Sequence, residues 1–355
     1  MKKRLYGLLS LLGLGCLLVV GCQRVEAADR LGPQPLAEEA ASETLLAMDT
    51  VMELTPYGPE AETALQAASQ RVMELEELFS VTRTDSEVYA INQSAGEWTP
   101  IQAETLYLLH NALTLGERSE GALDISIYPV VKAWGFTTDT YQVPDETLLA
   151  QLLTQVDFRQ IELDEAGQRV RLKPGMAIDL GSLAKGYAGD QIMAVFRECG
   201  VTSAIINLGG NIQTLGTKPG GQPWRVAVQA PDGQTYAGIL ETADQAVVTS
   251  AGYERYFEQD GVRYWHILDP HSGRPAESGA LSVTVVGESG MLCDALSTLL
   301  FVLGPDAASD YWRREGGFDL IMLTENGEVW VTEGLADRFV LTDEWAQQAV
   351  KVLTR

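Results

Sequence analysis

Basic residues are scarce in this sequence, and the shortage limits what the protein can bind. The 355 residues contain 25 Lys and Arg against 49 Asp and Glu, which gives a formal net charge of −24. A surface with this charge repels nucleic acid and anionic lipid headgroups, so both are excluded as main partners. An anionic ligand would need a local cationic site or a divalent metal ion. Histidine is rarer still: there are three, and two of them, His266 and His271, lie in one short segment.

The apolar run at the N-terminus is too short to favour a membrane span. Lys2, Lys3 and Arg4 precede residues 5–21, which carry no charge, whereas a spanning helix needs about 20 apolar residues. This pattern predicts a signal peptide over residues 1–21. An ordinary signal peptide with an incidental cysteine is the alternative, but the run ends in Gly21-Cys22 like a lipoprotein signal. We therefore expect lipidation at Cys22.

Lipidation would anchor the mature protein in the cell envelope, on the extracytoplasmic side of a bacterial membrane. In a Gram-negative bacterium this is the periplasmic face. Cleavage would remove three cations and no acid, leaving a net charge of −27. Residues 22–43 have little periodicity and predict a lipidated tether.

Cysteines are few, which argues against a disulfide framework. Cys16 lies in the signal peptide and Cys22 is the lipid site, so Cys199 and Cys293 remain in the domain. The two could pair in an exported compartment. Their spacing is not typical of a disulfide scaffold, and we predict two separate buried thiols.

Residues 44–355 show no second linker and no internal repeat, which predicts one large domain. Strand-like runs concentrate in the C-terminal half, with helices between them and Gly-containing turns that suggest hairpins. The fold class expected is α+β with a largely antiparallel sheet. Helices are predicted at 60–79, 103–118, 145–154, 183–198, 291–303 and 306–315, and strands at 45–54, 203–208, 224–229, 246–250, 281–286, 319–323, 328–331 and 338–341.

Residues 179–190 combine Asp, Gly and Lys in a loop that enters a helix. Free N–H groups at a helix N-terminus favour anions, and Lys185 is poorly placed near it unless an anionic ligand offsets its charge. A capped helix, with Ser182 as the N-cap and Lys185 in solvent, explains the segment about equally well.

Residues 266–275 gather imidazole, carboxylate and guanidinium groups in a loop shaped by Pro and Gly. His266 can act as an acid or a base near neutral pH. Arg274 either grips a phosphate or stabilises the loop by pairing with Asp269. We favour a functional loop.

A third segment places Asp294, Ser297 and Thr298 on one face of an apolar helix. A carboxylate with two hydroxyls suits a hard cation, Mg²⁺ more than Zn²⁺. An Asp near the helix start with back-bonded Ser and Thr is the alternative. Asp124, in the segment 120–129, is also explained by a buried turn.

Taken in order, these segments resemble the FAD:protein FMN transferase (ApbE) family. The resemblance covers nearly the whole mature domain, and its ordered series is specific although no single motif decides it. Matching positions are 48–50, 79–80, 85–87, Asn92, 121–124, Pro129, 134–136, 179–190, 207–210, 249–250, 266–275 and 294–298.

The resemblance implies a fold related to the T-fold, FAD as substrate and Mg²⁺ as cofactor. FMN would pass from FAD to a Thr or Ser hydroxyl of a partner, an acceptor flavoprotein subunit of an exported or membrane redox complex, with release of AMP. His266 and Asp294 would be catalytic, and Ser182, Asp294, Ser297 and Thr298 would hold the metal. The positions expected to contact FAD are Met48, Thr82, Ala122, Leu123, Asp124, Asp179, Lys185, His266, Ile267 and Arg274.

Three positions depart from the family pattern. Thr82 stands where many relatives have a Tyr that stacks on the flavin, which raises the alternative of a Mg²⁺-dependent FAD pyrophosphatase giving FMN and AMP. Asp49 replaces a Gly and Cys293 a common Ala, without a clear consequence. A non-catalytic FAD-binding lipoprotein is the third possibility, favoured only if the metal site fails.

Overall fold

The computed structural model describes residues 40–138 and 140–355. The predicted signal peptide and the lipid site at Cys22 lie outside the described residues. The predicted tether overlaps them at its end, where Ala40 already forms a bridge with Tyr57. Secondary structure therefore begins before the predicted domain boundary at residue 44.

A nine-stranded sheet organises the domain, with the strand order β1-β2-β6-β7-β10-β13-β14-β15-β17. All neighbours in it are antiparallel except β15 and β17. Small sheets β16-β9-β8, β3-β5-β4 and β11-β12 complete the set. The strands are β1 Glu43–Ala47, β2 Thr50–Tyr57, β3 Thr99–Pro100, β4 Glu162–Asp164, β5 Arg169–Arg171, β6 Ser203–Leu208, β7 Asn211–Leu215, β8 Trp224–Gln229, β9 Tyr236–Thr242, β10 Ala246–Ala251, β11 Tyr256–Gln259, β12 Val262–Trp265, β13 Ala280–Gly287, β14 Asp319–Thr324, β15 Glu328–Thr332, β16 Phe339–Leu341 and β17 Ala349–Leu353.

Helices cover one face of this sheet, and α7 packs against β10 and β13 while α6 packs against α7, α1 and β7. The helices are α1 Ala61–Phe79, α2 Glu87–Gln93, α3 Ala103–Arg118, α4 Tyr128–Trp134, α5 Glu146–Leu153, α6 Gly181–Glu198 and α7 Gly290–Glu315. Of the described helices, α7 alone is long and apolar enough to cross a membrane, but most of its apolar stretch is buried in the protein core.

The central sheet is buried on both faces, because alternate side chains of a strand point to opposite sides. In β10, Val248 joins the core under the helices while Val247 joins a second core under the small sheet β16-β9-β8. In β14, Met322 likewise joins the core under the helices, and Ile321 joins the second core. Continuous apolar runs in β10, β13 and β14 are explained by this two-sided burial.

The predicted α+β class with a largely antiparallel sheet is confirmed, and one predicted element is corrected. The single strand over 45–54 is a hairpin, because Met48 and Asp49 adopt positive φ angles of 49° and 58° and reverse the chain. The two helices predicted after residue 290 are confirmed: they meet at Gly304, whose φ of 75° is not helical, just before Pro305, and together they form the kinked helix α7.

The two cysteines of the domain are free, as predicted. Cys293 is buried, whereas Cys199 is only partly buried and so differs from the prediction.

Candidate active site

A cleft of about 1450 Å³ opens between the β1–β2 turn, the start of α6, the start of α7 and the ends of several strands. Most of the residues predicted for a site lie on its wall. These are Met48, Thr82, Ala122, Leu123, Asp124, Asp179, Ser182, Lys185, His266, Ile267, Asp294 and Thr298. The tertiary fold thus brings together segments that are more than 200 residues apart in sequence.

The start of α6 places Asp179 and Lys185 in the cleft. The helix begins at Gly181, and its N-cap is Leu180, which makes no side-chain capping bond. Asp179 instead accepts a hydrogen bond from the Gly181 N–H at 2.8 Å. The interpretation of Ser182 as the N-cap is therefore wrong. Burial raises the pKa of Asp179, while the Gly181 N–H and the positive charge of Lys185 oppose that rise.

Close contact between α6 and α7 fixes the position of Asp294. The Gly186 N–H donates to Asp294 Oδ2 at 2.8 Å. A Cβ atom on Gly186 would lie 2.1 Å from the Gly290 carbonyl oxygen, so only glycine permits this approach. Asp190 secures the start of α7 by accepting from the N–H groups of Gly290 (2.6 Å) and Met291 (3.0 Å). Gly186 and Asp190 of the 179–190 segment, together with Gly290 of α7, thus position the carboxylate predicted as the metal ligand.

Asp294 is 4% exposed, and burial raises its pKa to about 6 despite the nearby positive charge of Lys185. Hydroxyl and amide oxygen atoms line the same cleft. Ser250 Oγ lies 3.3 Å from Thr298 Oγ1, and Asn211 lines the same cleft. The Asn211 amide is buried, and its hydrogen bond to the Asp294 carboxyl opposes the rise in the pKa of that carboxyl. The amide oxygen has no hydrogen-bond partner among the described residues. A free amide oxygen beside a carboxylate and hydroxyls belongs to the kind of donor set that a hard cation satisfies.

Among residues 40–138 and 140–355, no group of three or more His, Cys, Asp or Glu side chains forms a metal cluster. A site made of one carboxylate, hydroxyl groups and an amide is unsuited to Zn²⁺, which takes nitrogen and sulfur ligands. It suits Mg²⁺, which is commonly held by one or two carboxylates and completes its shell with water and substrate phosphate. The residues present therefore fit a magnesium ion that is shared with a phosphate ligand.

His266 is held in one tautomer. Its Nδ1 lies 3.1 Å from the Arg255 carbonyl oxygen, and since a carbonyl can only accept, Nδ1 carries the proton. The Nε2 lone pair is then available as a proton acceptor. Burial, with the positive charge of Lys185, lowers the pKa of His266 to about 4. The imidazole is consequently neutral at pH 7.

Several cleft residues were not predicted from the sequence. Arg255 forms an ion pair with Asp49 at 2.8 Å and donates to the Phe136 carbonyl, so its side chain joins the β1–β2 turn to the segment that follows α4, while its carbonyl holds His266. Glu254 borders the cleft, where burial raises the pKa of its carboxyl to about 7. Asn211 was likewise not predicted as a site residue. Asp49 departs from the family pattern by adding a negative charge, which was the signal that a basic partner such as Arg255 could lie nearby.

Three predicted site residues have other surroundings than expected. Arg274 is not among the residues that line the cleft: it is exposed, and its side chain pairs with Glu146 and not with Asp269. Ser297 lies behind the wall, where its hydroxyl donates to the Asp294 carbonyl at 2.8 Å and contacts Ser250. Asp124 lines the cleft but stabilises a buried turn.

The turn at Asp124 is well defined. Its carboxylate accepts hydrogen bonds from the Ser126 N–H (2.8 Å), the Ser126 hydroxyl (2.6 Å) and the Phe158 N–H (2.9 Å). The buried-turn alternative is therefore confirmed for this residue, and any contact with FAD stays a prediction.

Comparison with known proteins identifies the family. The model of the ApbE family matches residues 48–322, which contain every part of the cleft wall described above except its β1 strand. This chain belongs to the ApbE family.

Relatives within the ApbE family match most of the chain. An FAD:protein FMN transferase of Treponema pallidum is 35% identical over 319 residues, covering 84% of this chain and 88% of the relative. One from Klebsiella pneumoniae is 36% identical, covering 79% and 90%. The crystal structure of an ApbE protein from Thermotoga maritima has a TM-score of 0.78 at 31% identity, covering 83% of this chain and 98% of that one. The flavinyl transferase ApbE of Pseudomonas stutzeri, in its apo form, has a TM-score of 0.73 at 28% identity, covering 87% and 96%.

Proposed function

We propose that this chain is an FAD:protein FMN transferase, which moves FMN from FAD to a Ser or Thr hydroxyl of a partner protein and releases AMP. The observation that carries the proposal is the meeting of Lys185, His266 and Asp294 on one cleft wall in a member of the ApbE family. A cation, a neutral imidazole and a buried carboxylate are the groups that pyrophosphate cleavage requires.

Each side chain has a distinct task. Lys185 attracts and orients the pyrophosphate of FAD, which the net charge of the protein would otherwise repel. His266 Nε2 accepts the proton of the acceptor hydroxyl as its oxygen attacks the FMN phosphorus. The P–O bond to AMP then breaks, and AMP leaves with the bonding electrons. The Arg255 carbonyl keeps His266 in the required tautomer.

Magnesium is part of the proposal. Asp294 and Thr298 would hold the ion, with Ser182 and the amide oxygen of Asn211 near the same wall. When bound, Mg²⁺ neutralises charge on the phosphates and so stabilises the transition state. Anchoring through Cys22 would place the enzyme on the extracytoplasmic side of a membrane, where its acceptor is an exported or membrane redox subunit.

The test uses the full-length chain in detergent micelles with FAD, MgCl₂ and an exported flavoprotein subunit. Flavin fluorescence on the denatured acceptor, together with release of AMP, is the expected result. Asp294→Ala should abolish the Mg²⁺-dependent turnover, while Asp310→Ala, which changes an exposed carboxylate of the same helix, should leave it intact. Full activity of Asp294→Ala would contradict the metal assignment.

One observation favours a second function. Thr82 is exposed on the cleft wall, and within the described residues its hydrogen bonds are with Ser80. Its side chain has no ring that could stack on the flavin. FAD pyrophosphatase activity would then release free FMN and AMP without labelling the acceptor. The same assay separates the two reactions, and unchanged FAD would indicate a binding protein without activity.

A further inference from the structure

The cleft extends beyond the residues proposed for FAD and Mg²⁺. Another part of its wall is strand β8, whose residues 225–229 line the cleft next to Gly233 and Tyr236. We call residues 225–229 the β8 edge. No residue assigned to FAD, metal or catalysis lies on it, so its role is open.

The β8 edge is an unpaired side of a strand. In the sheet β16-β9-β8, strand β8 pairs with β9 alone. The Glu241 N–H of β9 donates to the Arg338 carbonyl at 2.9 Å, on the side of β16. Because main-chain groups alternate along an antiparallel strand, Glu241 and its opposite residue Arg225 do not bond to each other. The main-chain groups of Arg225 and Ala227 therefore point away from β9.

A second hydrogen bond indicates that the main-chain carbonyl of Gln229 also points away from β9. Tyr253 Oη donates to the Gln229 carbonyl at 3.0 Å, so that carbonyl faces the cleft. The register shift next to Gln229 leaves one residue of β9 without a partner and none of β8. The main-chain groups of β8 therefore alternate regularly between the two sides of the strand. Within the described ranges, no other main-chain group bonds to Arg225 or Ala227. Two donors and two acceptors thus line the cleft without a main-chain partner.

The β8 edge leads toward the reacting groups. Tyr253 contacts its end at Gln229, and the next residue, Glu254, is near enough to Lys185 and Asp294 for their charges to affect the pKa of its carboxyl. A chain lying along the edge would therefore approach the wall where the FAD pyrophosphate is proposed to bind.

We propose that an extended segment of the acceptor protein, carrying the Ser or Thr hydroxyl, binds as an added strand along the β8 edge through the main-chain groups of Arg225 and Ala227. This inference rests on the proposed function. At about 3.3 Å per residue, the edge accommodates roughly five acceptor residues. Added strands gain affinity from main-chain bonds, so recognition would tolerate different sequences around the hydroxyl.

Ala227→Pro tests the proposal. Proline removes the N–H that faces the free edge and leaves the bonds to β9 intact, which is the position where strands accept proline. Ala227→Ser is the matched control, because it keeps the N–H. Each full-length variant is given FAD, MgCl₂ and a mixed decapeptide library with one fixed central Thr, and peptide-bound flavin and free FMN are measured. A second library, N-methylated at the residues flanking the Thr, removes the main-chain donors from the peptide side and requires no variant to fold.

The expected result is a KM for the library up to about tenfold higher with Ala227→Pro, as the loss of one hydrogen bond implies, and a rise at least as large for wild type with the N-methylated library. Ala227→Ser and the release of free FMN should be unchanged. Equal KM values for both libraries would overturn the inference, as would a wild type that labels a protein acceptor but neither library. Failure of the wild type to label any acceptor would instead refute the proposed function.

Discussion

Replacing Asp294 with Asn should make the protein more stable and inactive. Asp294 is almost fully buried, and its pKa rises from 3.8 to about 6 because burial disfavours the charged form. Asn has the same shape, and its amide oxygen can still accept the hydrogen bond from the Gly186 N–H. The variant therefore keeps the contact and loses the buried charge.

The rise from 3.8 to about 6 corresponds to about 3 kcal/mol, at about 1.4 kcal/mol per pH unit. The folded state binds the Asp294 proton more tightly than the unfolded state does, so this carboxyl lowers stability as pH rises from 3.8 to 6 and is fully destabilising above that range. Asp294→Asn should thus be about 3 kcal/mol more stable at pH 8, and the difference should vanish below pH 3.8.

Thermal unfolding of the full-length chain in EDTA at pH 4, 6 and 8 measures the effect, which should be roughly 5 °C at pH 8. Asp310→Asn, an exposed change on the same helix, should show no such gain. With Mg²⁺ and FAD, the Asp294 variant should have no turnover. A variant less stable than wild type at pH 8, or a difference independent of pH, would refute the reasoning.

Three further outcomes are expected. Gly186→Ala places a Cβ 2.1 Å from the Gly290 carbonyl oxygen, so urea unfolding should show a loss of about 3 kcal/mol together with lost turnover; an unchanged midpoint would show that α6 and α7 separate freely. The His266 ring, followed by NMR in the ligand-free protein, should titrate near pH 4, and a midpoint near 6.5 would contradict its burial. Asp49→Gly should stay within about 0.5 kcal/mol of wild type, because relief of the positive φ of 58° offsets the lost ion pair with Arg255. Asp49→Ala keeps the strained backbone conformation and loses the ion pair with Arg255, so its melting temperature should be lower than that of Asp49→Gly. Equal melting temperatures would contradict this account.

Periodicity predicted the long helices and most sheet strands correctly, since amphipathic patterns reflect burial on one side. It missed the short helices α2 and α4 and the strands β3, β4, β5, β7, β9, β11, β12 and β17, which are short or follow turns closely. The hairpin between β1 and β2 was missed for a different reason. Its turn uses Met48 and Asp49 at positive φ; Asp tolerates that conformation, but Met rarely adopts it, and no Gly or Asn adjoins them to mark a turn.

The sequence by itself determined the chemistry: a strongly acidic chain with one ordered series of polar motifs, typical of the ApbE family. Which of these residues meet was decided only by the tertiary structure. Arg274 and Ser297 looked equivalent to their neighbours in sequence, but packing turns Arg274 toward Glu146 and Ser297 behind the wall. Asp49 and Arg255, distant in sequence, form a pair at the cleft. Local patterns identify residue types capable of a reaction, whereas the direction of each side chain depends on contacts between distant segments, which local patterns do not contain.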